Sequence, residues 1–397
     1  MVAVCTIVRG FSAPGQTIGI SAFTDDLIAS LGTTRSKVAT AYLIGTLTGA
    51  AVLPFIGRWV DRVGVKRSLT FICIGFAAAI ALTSTVQNVV MLSFAFIGLR
   101  MLGQGSMSLI GTQGVVMWFE QRRGFALALS NMGTVGIMNL APLTFAALIG
   151  VFGWRWTWAL LGAVVLGVIL PIARFAIVDR PEIIDQVPDG KAVDRPAAQI
   201  RGRSFTVLEA VRTPAFWTLT SIAFMAGAIS TALTFHNTDL LGDQGFSKQQ
   251  AAAIFIPMLI GSVSSSFVIG SLTDRMPARP LIFFAGMALA VGTFFATTAE
   301  PGAMAVLYGL SLGVAGGSIG SLSSALYPKW FGVDHIGSIK SLASAANVGA
   351  SAIGPLILSI GNDVSNSYRP VVIGCAIAAA SVSVVSLFVP TPTGERA

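Results

Sequence analysis

The chain has 397 residues, 54% of them hydrophobic and 11% charged, with a net charge of +8 and a mean hydropathy of +0.79. Soluble domains carry about 25% charged residues, so a water-soluble fold could not cover its surface and lipid must be the solvent for much of the chain. Cys5, Cys73 and Cys375 are single and far apart, which excludes a disulfide framework and a cysteine metal site and leaves them as small apolar residues.

A membrane span needs about 20 mostly apolar residues. Twelve such segments follow one another, at roughly 2–23, 38–60, 67–84, 89–117, 124–150 and 154–177, then 214–240, 249–272, 280–298, 303–326, 340–361 and 369–390. The chain opens MVAVCTIVRGF, almost inside the first span, with no basic region ahead of an apolar core and so no cleavable signal. Either the tail is very short or translation starts upstream. In span 1, Arg9 sits in the inner half. Gln16, seven residues on, projects from nearly the same face of a continuous helix. Pro14-Gly15 between them interrupts that helix near mid-membrane and frees backbone groups for a ligand. The alternative is a packing kink with Arg9 snorkelling to the inner surface.

Between spans 2 and 3, GRWVDRVGVKRS (57–68) concentrates five charges in twelve residues. Gly57 lets a helix end approach a neighbour closely. Asp61 suits the positive end of a neighbouring helix. Arg62, Lys66 and Arg67 can hold carboxylates or lipid phosphates. In span 4, Arg100 lies about 16 Å from the span's start, close to the bilayer centre, where a charge costs about 2.5–3.5 kcal/mol and is a functional candidate by default. Gln104 is one turn further on the same helical face. The bland reading of Arg100 is a structural residue bonded to carbonyls. Asn139 in span 5 and Asn347 in span 11 are candidates for polar ties between helices.

VDRPEIIDQVPDGKAVDRPAAQIRGRSF is the one long polar stretch and reads as a linker. The expected division is therefore 1–177, a six-helix bundle; 178–213, a linker; and 214–397, a second six-helix bundle. In span 7, His236 lies toward the outer end with Asn237 and Asp239 close by, placed to take up a proton or simply to sit at the interface. Tyr308 and Ser318 in span 10 could finish a pocket or merely pack. The glycine-rich GLSLGVAGGSIGS reads as close helix packing rather than a phosphate cradle.

With the linker inside, 18 of the 25 Lys and Arg fall on the cytoplasmic side and 5 outside, while Arg9 and Arg100 fall within spans. That asymmetry places both termini and the linker in the cytoplasm of a cell whose inner membrane the chain crosses. It also explains the basic balance without nucleic acid. The two halves repeat: Asp61-Arg62 recurs as Asp274-Arg275 and Gly124, Gly136 and Pro142 recur as Gly337, Gly349 and Pro355, all 213 residues on; Trp118-Phe119 recurs as Trp330-Phe331, 212 on. Two parallel six-helix repeats suit a carrier that alternates access to a central site.

Gly57, Asp61, Arg62, Gly64, Lys66 and Arg67 together resemble the span 2–3 signature of the major facilitator superfamily, and Gly270, Asp274 and Arg275 a degenerate second copy. Arg100, Gly103, Gln104 and Gly105 resemble the superfamily's span-4 motif. The stretches 118–136 and SAPGQTIGIS are similar to the oxalate/formate exchanger and monocarboxylate transporter-like branch, although span 8 has no counterpart of that branch's substrate-pairing Arg. The resemblance implies an all-α membrane protein of twelve helices in two bundles related by pseudo-twofold symmetry. It also implies a cytoplasmic gate at the charged turns, and a cavity lined by spans 1, 4, 7 and 10.

The span interiors hold two Arg and no carboxylate away from their edges, and unpaired buried cations seek anions. The expected function is secondary transport of a small organic anion, a carboxylate, through Arg100, Gln104, Gln16, Arg9, His236 and Tyr308. Proton symport is the favoured drive. The alternatives are anion exchange, drug or metabolite efflux, and a non-transporting sensor. There is no HExxH, no GxSxG and no paired membrane carboxylate, so neither catalysis, cofactor nor metal is expected. The expected partners are the anion, protons and the lipid bilayer, and the expected state is a monomer.

Overall fold

A computed structural model describes residues 1–119, 123–178, 205–273, 275–332, 336–390 and 392. All regular structure among them is helical. In the first compact unit, Met1–Pro196, the helices are α1 (Val2–Gly10), α2 (Thr17–Ser21), α3 (Thr24–Leu31), α4 (Arg35–Val63), α5 (Val65–Ser84), α6 (Val89–Gly98), α7 (Ser108–Trp118) and α8 (Arg123–Pro171). In the second, Ala197–Ala397, they are α9 (Val207–Val211), α10 (Pro214–Phe235), α11 (Asn237–Gly242), α12 (Lys248–Ala253), α13 (Phe255–Leu272), α14 (Ala278–Phe295), α15 (Ala303–Phe331), α16 (Ile336–Ser365) and α17 (Arg369–Ser386).

Ten segments among the described residues are long and apolar enough to cross a bilayer. The expected twelve differ from this in two places, each with a local cause. The segment Leu129–Ala176 counts once but contains Gly153 at φ 73°, ψ 162°, a left-handed turn that divides it at the boundary expected between spans 5 and 6. The first span is broken into pieces too short to count. Pro14 has no N–H to continue the i→i−4 ladder, so α1 stops at Gly10 and Ala13–Gly15 forms a single 3₁₀ turn. Gln16 is then extended (ψ 156°) before α2 begins. Within the stretch read as a linker, α9 is a short helix fixed by a reciprocal cap between Thr206 and Glu209.

The same helix pairs pack in both units. In the first, α1 lies on α8, α4 on α6, and α5 on α8; in the second, α10 lies on α16, α13 on α15, and α14 on α17. Numbered as spans, these are 1 with 5, 2 with 4 and 3 with 6, repeated as 7 with 11, 8 with 10 and 9 with 12. The sequence repeat is therefore a repeat of packing. Outward faces carry large apolar side chains such as Phe94, Trp156, Phe175, Phe267 and Phe388, which suits hydrocarbon rather than water as the surrounding solvent.

The turn from α4 to α5 is a single residue, Gly64, at φ 92°, ψ 160°. Side chains rarely adopt that conformation. Gly64→Ala is expected to lower stability by about 1–3 kcal/mol, read as a fall in the midpoint of thermal unfolding of purified protein. Gly57 is a different matter. A Cβ there would meet only Leu109, at 3.9 Å, so the close helix approach expected of it is absent within its unit, and the turn's conformational demand falls on Gly64 instead.

Candidate functional site

Span 4 is α-helical at both ends, but Leu99–Met107 is wound as a π-helix. Wide turns of this kind concentrate at functional sites. Ser106 Oγ donates to the carbonyl of Met101, five residues back, at 2.8 Å. This segment faces the break in span 1. The backbones approach so closely that a Cβ on Gly15 would stand 2.9 Å from the Cα of Gly103 and against the Leu99 carbonyl. Two helices, each irregular at one level, meet there.

Arg100 projects from the π segment and is 2% exposed. Its Nε donates to Thr46 Oγ1 at 3.0 Å, and its Nη1 donates to the Gly15 carbonyl at 3.2 Å and to Thr17 Oγ1 at 3.4 Å. The guanidinium lies over the Tyr42 ring, 4.6 Å from its centroid, and the Tyr42 hydroxyl is 2.5 Å from Thr17 Oγ1. Nη2 is buried with no hydrogen-bond partner. Among the described residues no carboxylate pairs with this cation. The carbonyls of the bland reading are present in Gly15, yet they leave one donor edge unsatisfied.

The other candidates divide. Gln16 Nε2 donates to Ser12 Oγ at 3.1 Å and to Ser108 Oγ at 3.5 Å, so it ties the span-1 break to the start of α7. Arg9 does not share its surroundings. Nη1 of Arg9 donates to Asn131 Oδ1 on α8 at 2.6 Å. The seven-residue spacing put both residues on one face only if the helix were continuous, and the 3₁₀ turn with extended Gln16 resets that register. Gln104 is half-buried.

On α15, Tyr308 and Ser318 are buried, and the Ser318 hydroxyl has no partner. Asn139 was expected to tie helices together, but it donates to Val135 of its own helix at 2.9 Å. Asn347 is a true inter-helix contact, seated against Gly227 of α10.

His236 occupies the junction of α10 and α11 and is fully buried. Its Nε2 is 2.9 Å from the Pro355 carbonyl and 3.2 Å from Ser359 Oγ, both on α16. Its Nδ1 is 3.4 Å from the Tyr368 hydroxyl, which donates to Asp239 Oδ2 at 2.5 Å. Asn237 Nδ2 donates to the Ala251 carbonyl at 2.9 Å and holds α12 in place.

In the charged turns, Arg62, Arg67 and Arg275 are exposed and Lys66 is half-buried. The Asp61 side chain and Asp274 lie outside the described residues. Lys66 and Arg67 open α5, where a helix end repels cations.

Sequence reasoning missed Tyr42, Thr17 and Thr46 around Arg100 and Tyr368 beside His236. One signal was available. The chain has four tyrosines, all at most 5% exposed, and a buried tyrosine usually finds a polar partner. Two of the four lie beside the two buried bases.

The chain matches the family model described as Major Facilitator Superfamily over residues 4–311 and again over 237–397. It is similar to the 4-hydroxybenzoate transporter PcaK of Pseudomonas aeruginosa, 27% identical over 95% of this chain and 88% of that protein. It is also similar to the multidrug resistance protein MdtG of Dickeya zeae, 27% identical over 70% of this chain and 66% of that one. The alignments span 36% to 66% of the length of the other curated relatives. Among solved structures, a bacterial homolog to the human lysosomal transporter Spinster, inward-facing and unoccupied, superposes with a TM-score of 0.70 at 14% identity. That match covers 98% of this chain and 94% of the other.

Proposed function

Because the chain belongs to the major facilitator superfamily, we propose that it is a secondary carrier that moves a small organic carboxylate across the inner membrane by alternating access. The observation that carries this reading is the free edge of Arg100. A guanidinium buried to 2% exposure, held by two hydroxyls and a carbonyl and without a hydrogen-bond partner at Nη2, is a poor structural element and suits an anion clamp. Buried cations persist when something pairs with them, and Arg matches a carboxylate with a planar fork. Gln16, Ser12 and Ser108 supply hydroxyl and amide groups at the same span-1 break, and the Tyr42 ring offers an aromatic wall. An aromatic carboxylate suits those surroundings, and the similarity to a 4-hydroxybenzoate transporter supports it.

The turn containing Gly57, Asp61, Arg62, Gly64, Lys66 and Arg67, with Asp274 and Arg275 in its repeat, serves in this reading as the cytoplasmic gate. Arg9, packed against Asn131, positions span 1 and does not touch cargo. Proton symport provides the drive, since an anion entering a negative cell needs compensating charge.

The test is thermal stabilisation of the purified full chain by a panel of 4-hydroxybenzoate, benzoate, lactate and oxalate, with a lipophilic cation as the contrast. Saturable counterflow in proteoliposomes then follows for whichever stabilises. An aromatic carboxylate is expected to raise the unfolding midpoint and to exchange across the bilayer. Stabilisation by the lipophilic cation alone would replace this reading with drug efflux, for which the similarity to a multidrug resistance protein is the supporting observation.

A further inference from the structure

We propose that the charged end of α4 and α5 is a binding site for an anionic diacyl phospholipid, with its phosphate on Arg58, Arg62 and Arg67 and its chains against Phe55, Trp59 and Phe71. The leaflet follows from the cytoplasmic placement of this turn in the carrier reading; the chemistry does not depend on what the carrier moves. All three arginines are exposed. The turn as a whole has four bases, Lys66 included, and one carboxylate, Asp61.

The arginines cap two apolar stripes. On α4 the exposed face runs through Ile44, Leu47 and Phe55 to Arg58 and Arg62, spaced for one side of a helix. On α5 it runs from Arg67 to Phe71 and Ile74. Phe55 is 64% and Phe71 62% exposed, and large apolar patches of this kind mark membrane contact. The stripes join, since the Trp59 and Phe71 rings stand 6.2 Å apart. The Arg58 guanidinium lies over the Phe55 ring, 5.1 Å from its centroid, so the arginine stem follows the apolar face and its charged head reaches the rim. Along α5, Phe71 and Ile74 are about 6 and 11 Å deeper than Arg67. That depth separates a phospholipid's phosphate from its first chain carbons.

The internal repeat is the comparison. At the positions 213 residues on, Ser271, Leu272 and Pro280 replace Arg58, Trp59 and Arg67, while Arg275 and Arg279 keep the charges of Arg62 and Lys66. The apolar wall is kept, with Val268 and Phe284 exposed where Phe55 and Phe71 are. Both copies therefore suit hydrocarbon, and both carry bases that fix topology. Only the first adds two more guanidinium forks, which match phosphate, and a tryptophan at headgroup level.

The experiment is fluorescence quenching of the purified full chain in phosphatidylcholine vesicles that contain a minor fraction of brominated phosphatidylglycerol. Vesicles with the same fraction of brominated phosphatidylcholine are the reference. Bromine on an acyl chain quenches a tryptophan that it touches, and Trp59 is the reporter in the site. Exposed tryptophans elsewhere, such as Trp156 and Trp217, meet both lipids alike. Phosphatidylglycerol is expected to quench in excess of phosphatidylcholine, and the excess is expected to vanish in Trp59→Leu. Arg58→Ser leaves the reporter and lies outside the proposed gate. It is expected to raise the phosphatidylglycerol fraction that gives half the excess about fivefold, the contribution of one base near an anionic surface. Serine and leucine already occupy these positions in the second copy, so the helix accommodates them.

Equal quenching by the two lipids, an excess that survives Trp59→Leu, or an unshifted half-point in Arg58→Ser would each overturn the proposal. So would loss of the excess on adding inorganic phosphate at constant ionic strength, which would make the arginines a site for free phosphate. No cargo is used, so failure of the carboxylate reading leaves this result standing.

Discussion

Arg100→Gln is expected to abolish stabilisation by 4-hydroxybenzoate and to remove its transport. A hydrogen bond to a charged group contributes about 1.5–3 kcal/mol, and the guanidinium edge offers the carboxylate more than one. Loss of roughly 2–4 kcal/mol corresponds to roughly 30- to 1,000-fold weaker binding. Arg100→Lys separates charge from shape. It keeps the cation and loses the fork, so it is expected to retain weak binding, between the other two. Both variants also lose the donor that holds the Gly15 carbonyl, so the unfolding midpoint without ligand must be measured beside the shift with ligand. Thr46→Val is the control for positioning, since it removes the acceptor of Nε and leaves the cation. It is expected to weaken binding by about 0.5–1.5 kcal/mol. An unchanged ligand shift in Arg100→Gln would remove this residue from the site.

Gly15→Ala is expected to cost both stability and transport. The backbone at Gly15 is that of a 3₁₀ turn, which alanine can adopt; the difficulty is space. A Cβ would press on the Leu99 carbonyl, on the Cα of Gly103 at 2.9 Å and on the ring of Phe76 at 3.1 Å. Two of these are backbone and cannot rotate away. Overpacking of this kind costs about 1–3 kcal/mol. Relief requires the span-1 break to move off the π segment, which takes the Gly15 carbonyl away from Arg100. The expected outcome is a lower unfolding midpoint together with weaker binding of 4-hydroxybenzoate. Gly136→Ala is the contrast, since nothing lies within 4 Å of its Cβ position. There alanine should leave transport intact and add up to about 1 kcal/mol through helix propensity. Equal effects from the two substitutions would mean that the close approach of spans 1 and 4 has no role.

Much of the architecture was legible because hydropathy has a long reach. Segments of about 20 apolar residues must be helical in lipid whatever their neighbours do, and eleven of the twelve expected spans correspond to continuous helical stretches or to halves of one, divided at Gly153. The site was legible only as a set of residues. Arg100 and the Pro14-Gly15 break were visible as anomalies, a cation and a helix breaker in hydrocarbon. Their meeting was not, because it joins residues 85 positions apart. One expectation failed for the same reason: Arg9 and Gln16 were paired by α-helical spacing, and a 3₁₀ turn and an extended residue break the helix between them.

The sequence alone determined what lipid enforces: the number and order of the apolar segments, the internal repeat, the charge asymmetry of the loops and the presence of buried bases. Those properties depend on composition along the chain and are indifferent to which helix touches which. The tertiary structure decided which partners the buried bases take. Hydroxyls and a carbonyl take up three donor contacts of Arg100 and leave Nη2 without a hydrogen-bond partner, and the Tyr368 hydroxyl stands between His236 and Asp239. Hydrogen bonds act within about 3 Å, and positions far apart in the sequence come within that range only when the helices pack.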